Sequence, residues 1–105
     1  MLVMLSFTVP LGKIDDFVKA FLSLVEKGQI PPSHVKVVGT YNWLDGEGKL
    51  IQIIAIEKGY VDEGLKALNK LLFQYRNIEG LKIKMQPVST LEEGLAMLGI
   101  TPPQM

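Results

Sequence analysis

Three side chains with useful chemistry lie close together in the chain, between residues 34 and 43. His34 is the only histidine, and imidazole is the side chain that gains or loses a proton near neutral pH without help from its surroundings. Tyr41 and Trp43 follow on one predicted strand, where two amphipathic rings could line a cleft for an aromatic molecule. A surface histidine, and aromatic residues that serve core packing or a dimer contact, are the alternatives.

A second set of candidates is polar and is spread over the predicted strands. If those strands form one sheet with one uncovered face, the polar groups could converge there and hydrogen-bond a small polar ligand. The candidate ligand-binding residues are Ser6, Thr8, Thr40, Gln52 and Lys84. A solvated or water-filled interface would use the same residues and is the alternative.

The composition gives little support to metal or cofactor chemistry. The chain has no cysteine and one histidine, so a thiolate site or a conventional zinc or haem site cannot be assembled. The acidic pairs Asp15-Asp16 and Glu92-Glu93 fall in the first turns of predicted helices, where carboxylates offset the helix dipole. We therefore predict no metal site and no cofactor.

Charge and hydropathy restrict the partners and the compartment. The 11 basic residues balance the 11 acidic ones, so no broad positive field favours nucleic acid. No run approaches the ~20 apolar residues that a membrane helix needs, and the lack of cysteine fits a reducing compartment. We expect a cytoplasmic protein that binds neither nucleic acid nor a membrane.

The elements that position these residues follow from the spacing of apolar side chains. Alternation of apolar and polar residues, or a short apolar run, predicts each strand, and apolar residues three and four positions apart predict each long helix. The predicted strands cover residues 2–9, 34–44, 50–57 and 81–88, and the predicted helices cover 13–27 and 61 to about 76. The acidic, glycine-rich break Asp45-Gly46-Glu47-Gly48 predicts a hairpin between the second and third strands.

The end of the chain predicts one more short helix. Ser89 or Thr90, each followed three residues later by a glutamate, has the spacing of a capping box ahead of an apolar stripe. Gly99 and the pair Pro102-Pro103 would end this helix.

The order of these elements predicts the fold class. A βαββαβ chain with right-handed crossovers forms an α+β, ferredoxin-like sandwich, in which a four-stranded antiparallel sheet has the spatial order 4-1-3-2. We interpret residues 1–105 as a single domain with its core in 1–88 and a C-terminal capping helix and tail in 89–105. Both long helices then cover the same face of the sheet, and the other face is open.

Successive residues of a strand point to opposite faces of the sheet, and this alternation, here called strand parity, assigns side chains to the two faces. The residues predicted to lie under the helices are Val3, Leu5, Phe7, Val35, Val37, Ile51, Ile53, Leu81, Ile83 and Met85. Those predicted on the open face are Met4, Ser6, Thr8, Val38, Thr40, Leu50, Gln52, Ile54, Ile56 and Lys84. An RNA-binding sheet would carry aromatic residues beside basic ones on that face, and this assignment does not. Because the open face is partly apolar, we predict a homodimer in which two sheets form a closed or nearly closed barrel.

Three blocks of the sequence carry a resemblance to known proteins. They are MLVMLSF at the start, IPPSHVKVVGTYNW in the middle and KMQPVSTLEEGLAML near the end. Together they resemble a family of small proteins without assigned activity in the dimeric α/β-barrel superfamily, over about residues 1–98. The resemblance implies the same dimeric barrel. The superfamily also includes small monooxygenases, muconolactone-type isomerases, chlorite-dismutase-like haem proteins and effector-binding domains of transcription regulators.

Three functions remain open at this point. The first is a dimeric small-ligand-binding or interaction module with a pocket in each subunit. The second, which the superfamily implies, is a cofactor-free monooxygenase or isomerase acting on an aromatic or lactone-like substrate. Its candidate catalytic residues are His34, Tyr41, Asn42 and Trp43. The third is a structural role in which Phe73 or the terminal helix joins dimers into larger rings.

Overall fold

The computed structural model of the protein describes residues 1–101 and confirms the predicted order of elements. The elements are β1 (Leu2–Val9), α1 (Ile14–Glu26), β2 (Val35–Leu44), β3 (Gly48–Ile56), α2 (Val61–Phe73), β4 (Lys82–Val88) and α3 (Leu91–Met97). A single 3-10 turn, Leu11–Lys13, leads into α1. The prolines expected to end α3, Pro102 and Pro103, lie outside the described residues.

The four strands form one antiparallel sheet with the order β2-β3-β1-β4, as predicted. β1 and β3 are the central strands, and β2 and β4 are the edges. The hairpin between β2 and β3 turns at Gly46, whose φ of 68° is readily adopted by glycine, and Asp45 N–H donates to Glu47 O at 2.9 Å. The protein therefore has an α+β, ferredoxin-like fold.

The two long helices cover one face of this sheet. In α1, Asp15 and Asp16 lie in the first turn, where their carboxylates are attracted to the positive end of the helix dipole. Phe17 and Leu24 of the same helix are buried. α2 approaches the sheet closely at Gly64, since a β-carbon there would lie 2.5 Å from Cγ2 of Ile56. A larger side chain at that position would push α2 away from β3.

The core lies between the helices and the covered face. Val3 and Leu5 of β1, Ile54 of β3 and Leu68 of α2 are the largest side chains with essentially no exposure. At one end of the core, three aromatic rings pack together. Phe17 stacks on Tyr75 with ring centroids 5.2 Å apart, and Phe7 meets Tyr75 edge-on at 5.9 Å.

A β-bulge in β2 corrects the predicted faces of that strand. Pairing with β3 is regular up to Val37 and resumes at Gly39, so Val38 is an extra residue in the ladder. One extra residue inverts the alternation that follows it. Thr40 and Asn42 therefore lie on the covered face, whereas strand parity predicted the open face for Thr40.

Strict alternation along β2 predicts Tyr41 and Trp43 on the same face as Val35 and Val37, and this prediction was also wrong. Tyr41 pairs with Ile51 and Trp43 with Lys49, both on the uncovered side of the sheet. Their side chains are 59% and 47% exposed. Because of the bulge, the aromatic residues of β2 lie on the open face, opposite Val35 and Val37.

The predicted faces of β3 were also inverted. Register with β1 places Leu50, Gln52, Ile54 and Ile56 on the covered face, and Ile54 and Ile56 are buried. Ile51 and Ile53, predicted under the helices, lie on the open face. The strand is apolar at almost every position, so its sequence contains no contrast from which the inward side can be identified.

The last helix, α3, follows the sheet directly. Thr90 is its N-cap and forms a complete capping box with Glu93, which selects one of the two predicted alternatives. Gly99 has a φ of 73° just beyond the helix. Among residues 1–101, no helix is long and apolar enough to cross a membrane.

Candidate functional site

A cavity of about 390 Å³ lies between the covered face of the sheet and the two long helices. Its walls come from every layer of this side of the molecule, with Phe17 and Phe21 from α1, Leu71 from α2, and Leu5 and Ile54 from the sheet. The volume falls in the range of small-molecule sites. The sandwich therefore leaves unfilled space where a ferredoxin-like core would otherwise be packed.

Three neutral polar side chains face this largely apolar cavity, namely Thr40, Asn42 and Gln52. Thr40 and Gln52 are directly paired across β2 and β3, and Gln52 Nε2 donates to Thr40 Oγ1 at 3.4 Å. A donor–acceptor distance of 3.4 Å is long for a hydrogen bond. Hydroxyl and amide groups that hold each other this loosely keep capacity to bind a ligand.

Tyr75 adds a fourth polar side chain to the lining of the cavity. Its side chain is 3% exposed, and burial raises the pKa of Tyr75 to about 12. The phenol therefore stays protonated at neutral pH and retains its O–H donor.

The neutral lining restricts the kind of ligand that the cavity can hold. Among residues 1–101, none of the side chains that line the cavity is charged. An ion that entered would lose its hydration without gaining a counter-ion. The cavity is therefore suited to uncharged molecules.

The cavity opens between α1 and the edge strand β2. Val18 on α1, and Thr40 and Asn42 on β2, line it and are exposed to solvent. A second hollow of about 330 Å³ adjoins it toward the hairpin and shares Val18, Asn42 and Leu50 with it. Together the two spaces form an elongated cleft along β2.

His34 lies away from this cleft, in a small cluster of its own. Its Nδ1 is 2.8 Å from Oε2 of Glu57, and its ring stacks on Tyr60 with centroids 3.9 Å apart and planes 5° apart. Its φ of 62° is in the left-handed region, which is uncommon for a residue with a β-carbon. The two side-chain contacts hold a half-buried histidine in that conformation.

The structure thus separates the four candidate catalytic residues. Asn42 lines the cavity, whereas His34 lines a surface hollow with Lys36 and Glu57. Tyr41 lies on the open face, and Trp43 lies there too while reaching the rim of the second hollow. They do not converge on one site.

The five candidate ligand-binding residues are divided between the two faces of the sheet. Thr40 and Gln52 meet in the cavity. Asn42 lines it as well, although it was not among the candidate ligand-binding residues. Ser6, Thr8 and Lys84 lie on the open face. Gly39 was the available signal, because an isolated glycine inside a strand often accompanies a bulge.

The open face has an apolar centre between two different edges. Each row across the sheet joins residues of β2, β3, β1 and β4. The rows are Trp43, Lys49, Thr8 and Lys82; Tyr41, Ile51, Ser6 and Lys84; Gly39, Ile53, Met4 and Gln86; and Lys36, Ala55, Leu2 and Val88. The face has aromatic rings along β2, lysines along β4, and no carboxylate in these rows.

Two local contacts shape this face. The Tyr41 ring covers Gly39, since a β-carbon on that glycine would lie 2.9 Å from the Tyr41 hydroxyl oxygen. Lys49 Nζ donates to Thr8 Oγ1 and to Glu47 Oε2, both at 3.4 Å. Lys49 is thereby neutralised by the hairpin, whereas Lys82 and Lys84 extend from the opposite edge.

Comparison with known proteins supports the fold. No protein-family model and no curated protein matches the chain. Protein Atu4242 from Agrobacterium tumefaciens is similar in structure, with a TM-score of 0.52 and 15% identity over 87% of this chain and 96% of that one. This similarity agrees with the ferredoxin-like fold.

Two further solved structures are similar to a smaller extent. The de novo designed protein Foldit4 has a TM-score of 0.43 and 16% identity, over 84% of this chain and 97% of that one. A formyltetrahydrofolate deformylase from Pseudomonas putida KT2440 has a TM-score of 0.49 and 14% identity over 84% of this chain. The match covers 29% of the deformylase, so this chain spans less than a third of that enzyme's length.

Proposed function

We propose that the protein is a homodimeric small-ligand-binding module, and that its ligand occupies the cavity between sheet and helices. The observation that supports this proposal is the cavity of about 390 Å³, whose apolar walls surround the polar group Thr40, Asn42 and Gln52. Ligand sites commonly combine a mostly apolar lining with a few convergent polar groups. The apolar walls would supply affinity and the polar group would fix orientation.

A cavity-filling substitution with a matched neighbour tests this proposal. Val37 lines the cavity, whereas Val38 is the bulged residue and is 60% exposed. Val37→Phe places a ring in the ligand space, and Val38→Phe places the same ring outside it. The probe is Nile red, an uncharged dye whose fluorescence rises in apolar surroundings.

The wild type and Val38→Phe are expected to bind Nile red with similar affinity, and Val37→Phe is expected to lose at least about tenfold. Circular dichroism and thermal unfolding check that both variants remain folded. Absence of Nile red binding to the wild type would contradict the proposal. Equal binding by the two variants would contradict it as well, because the dye would then lie elsewhere.

The second part of the proposal is that two copies pair through the open face. Met4, Ile51 and Ile53 form its apolar centre on the two middle strands. Four strands about 4.8 Å apart and four rows of side chains give a projected area of about 450 Å². Side-chain relief increases the accessible area toward the ~800 Å² per partner of a stable interface.

The charges of the face favour one arrangement of the two copies. If the two-fold axis runs parallel to the strands, each row meets the same row of the second copy with its edges exchanged. Tyr41 then lies over Lys84 of the second copy, and Trp43 over Lys82. Lysine over an aromatic face is attractive, whereas an axis across the strands would bring lysine edges together.

The same face also carries features that would suit single-stranded nucleic acid, because Tyr41 and Trp43 lie on it together with lysines. The centre of the face favours a second copy instead. Ile51, Ile53 and Met4 occupy the central strands, and aliphatic side chains offer bases no ring to stack on.

Sedimentation velocity across the micromolar range tests the dimer. Ile53→Lys places a charge at the centre of the open face and is expected to give monomers. Leu22→Lys is the control, because Leu22 is 52% exposed on α1, away from this face, and its variant is expected to remain dimeric. A monomeric wild type, or binding of single-stranded oligonucleotides that Tyr41→Ala and Lys84→Ala weaken, would contradict the assignment of this face to a second copy.

A further inference from the structure

The polar and apolar linings of the cavity are separated along β2. Val35 and Val37 line its first half, with Ile30 and Pro32 from the preceding loop. Beyond the bulge the lining becomes polar at Thr40 and Asn42, with Gln52 directly opposite Thr40. From Val35 to Asn42 the strand has eight residues, one of them bulged, and they advance about 20 Å. The site is therefore long, with one hydrogen-bonding end.

The chemistry of that end is neutral. A hydroxyl and two carboxamides each offer both donor and acceptor atoms, so they can bind a hydroxyl, carbonyl or amide group equally well. They cannot neutralise an ion. Lys49 lines the adjoining hollow, but it already pairs with Glu47 at 3.4 Å. Thr40 and Asn42 are exposed at the opening, so a carboxylate or ammonium group at this end would keep part of its hydration and would lose the rest without gaining an opposite charge.

We infer that the cavity takes an uncharged amphiphile, with its single polar end at Thr40, Asn42 and Gln52 and its apolar body toward Val35, Val37 and Pro32. This inference rests on the proposed function, because it names the ligand class of the same cavity. A linear alcohol or primary amide has this chemistry. The corresponding carboxylate has the same shape and carries a charge.

Ten-carbon ligands that differ at one end test the inference. Displacement of Nile red is measured at pH 7 with decanol, decanamide, decanoate and decylammonium. We expect the alcohol and the amide to bind about tenfold more tightly than either ion, because an ion loses part of its hydration and finds no opposite charge at this end. Decanoic acid titrated in its protonated form at acidic pH is expected to recover the affinity.

Substitutions at the polar end provide the second readout. Thr40→Val and Gln52→Leu are expected to weaken decanol and decanamide about tenfold, since each removes a hydrogen-bonding group while keeping an apolar wall. Gln86→Leu makes the same change as Gln52→Leu on the open face and is expected to leave these affinities unchanged.

The outcomes separate this inference from the proposed function. If decanoate or decylammonium binds as tightly as decanol while Val37→Phe still blocks Nile red, the cavity binds ligands but the uncharged class is wrong. If Thr40→Val and Gln52→Leu do not change the preference for the head group, the proposed orientation is wrong. If neither Nile red nor any of the four compounds binds, the proposed function itself fails.

Discussion

The two faces of the sheet differ in whether the helices of the chain cover them. On the covered face, Val3, Leu5 and Ile54 pack under two helices and are almost completely buried. On the open face, Ile51 and Ile53 occupy the neighbouring positions of β3, on the side of the sheet away from the two long helices. The chain itself buries the apolar side chains of the covered face. The open face has comparable apolar side chains, which a second molecule would bury.

The faces also differ in how they use polar groups. The covered face places Thr40, Asn42 and Gln52 at one end of an internal space, without charges. The open face carries lysines along one edge and aromatic rings along the other. Neutral polar groups suit a buried small molecule, whereas charges at the rim of an apolar patch suit a protein interface. This contrast supports the proposal that one face binds a ligand and the other pairs with a second copy.

Two adjacent isoleucines give the strongest test of this comparison. Ile54→Ala removes a buried side chain from the covered face, and we expect it to lower the free energy of unfolding by about 2–5 kcal/mol at every protein concentration. Ile53→Ala makes the same change on the open face. Its cost is expected to be smaller at low concentration and to grow with concentration, because the proposed dimer would bury the side chain.

Urea denaturation at several protein concentrations measures both effects. Equal, concentration-independent losses for Ile53→Ala and Ile54→Ala would mean that the two faces are buried in the same way. The contrast between the faces would then be lost.

Tyr75 distinguishes the covered face by its response to alkaline pH. Its pKa is raised from 10.0 to about 12 by burial, so between these values the unfolded chain releases a proton that the folded protein keeps. The free energy of unfolding therefore falls as pH rises from 10 to 12. The two-unit difference corresponds to at most about 3 kcal/mol.

Tyr75→Phe removes this titration, and its stability is expected to fall less steeply over the same pH range than that of the wild type. The measurement is urea denaturation of both proteins from pH 8 to pH 12, with the difference at pH 8 as the internal reference. Parallel curves for the two proteins would contradict the expected burial of the phenol.

The contrast between the faces could be predicted from the sequence for two strands and not for the other two. β1 alternates between large apolar residues such as Phe7 and small polar ones such as Thr8, so its burial follows from its pattern. β4 alternates just as clearly, with Ile83 inward and Lys84 outward. In β3 the apolar residues Ile53 and Ile54 are adjacent, and only pairing with β1 decides which of them is buried.

The candidate site depended on one residue that periodicity does not reveal. Val38 is apolar and β-branched, so in sequence it continues the strand, although in the structure it is the extra residue of a bulge. Every assignment after it was inverted, which separated Thr40 from the predicted open-face site and brought Asn42 into the cavity. The contacts of His34 with Glu57 and Tyr60 likewise join residues more than 20 positions apart.

A smaller effect on the free energy of unfolding is expected at His34, the residue just before β2. His34 has a φ of 62°, so His34→Ala keeps the left-handed conformation while losing the contacts with Glu57 and Tyr60. His34→Gly loses the same contacts but adopts that conformation without strain. We expect the glycine variant to be more stable than the alanine variant by about 1 kcal/mol.

Thermal and urea unfolding of the two variants measure this difference. An alanine variant as stable as the glycine variant would mean that residue 34 leaves the left-handed region once its side-chain contacts are removed. Ligand binding is expected to be the same in both variants, because His34 does not line the cavity.

The smallest expected effect concerns the arrangement of two open faces against each other. With the two-fold axis parallel to the strands, Tyr41 of one copy lies over Lys84 of the other. A double-mutant cycle with Tyr41→Ala and Lys84→Ala is expected to give a coupling of about 0.5–1 kcal/mol in the free energy of dimerisation. A cycle of Tyr41→Ala with Lys19→Ala on α1 is the control and is expected to give none. Coupling of Trp43→Ala to Lys36→Ala in place of the Tyr41–Lys84 coupling would indicate an axis across the strands, since that arrangement places β2 over β2 with the order of the rows reversed.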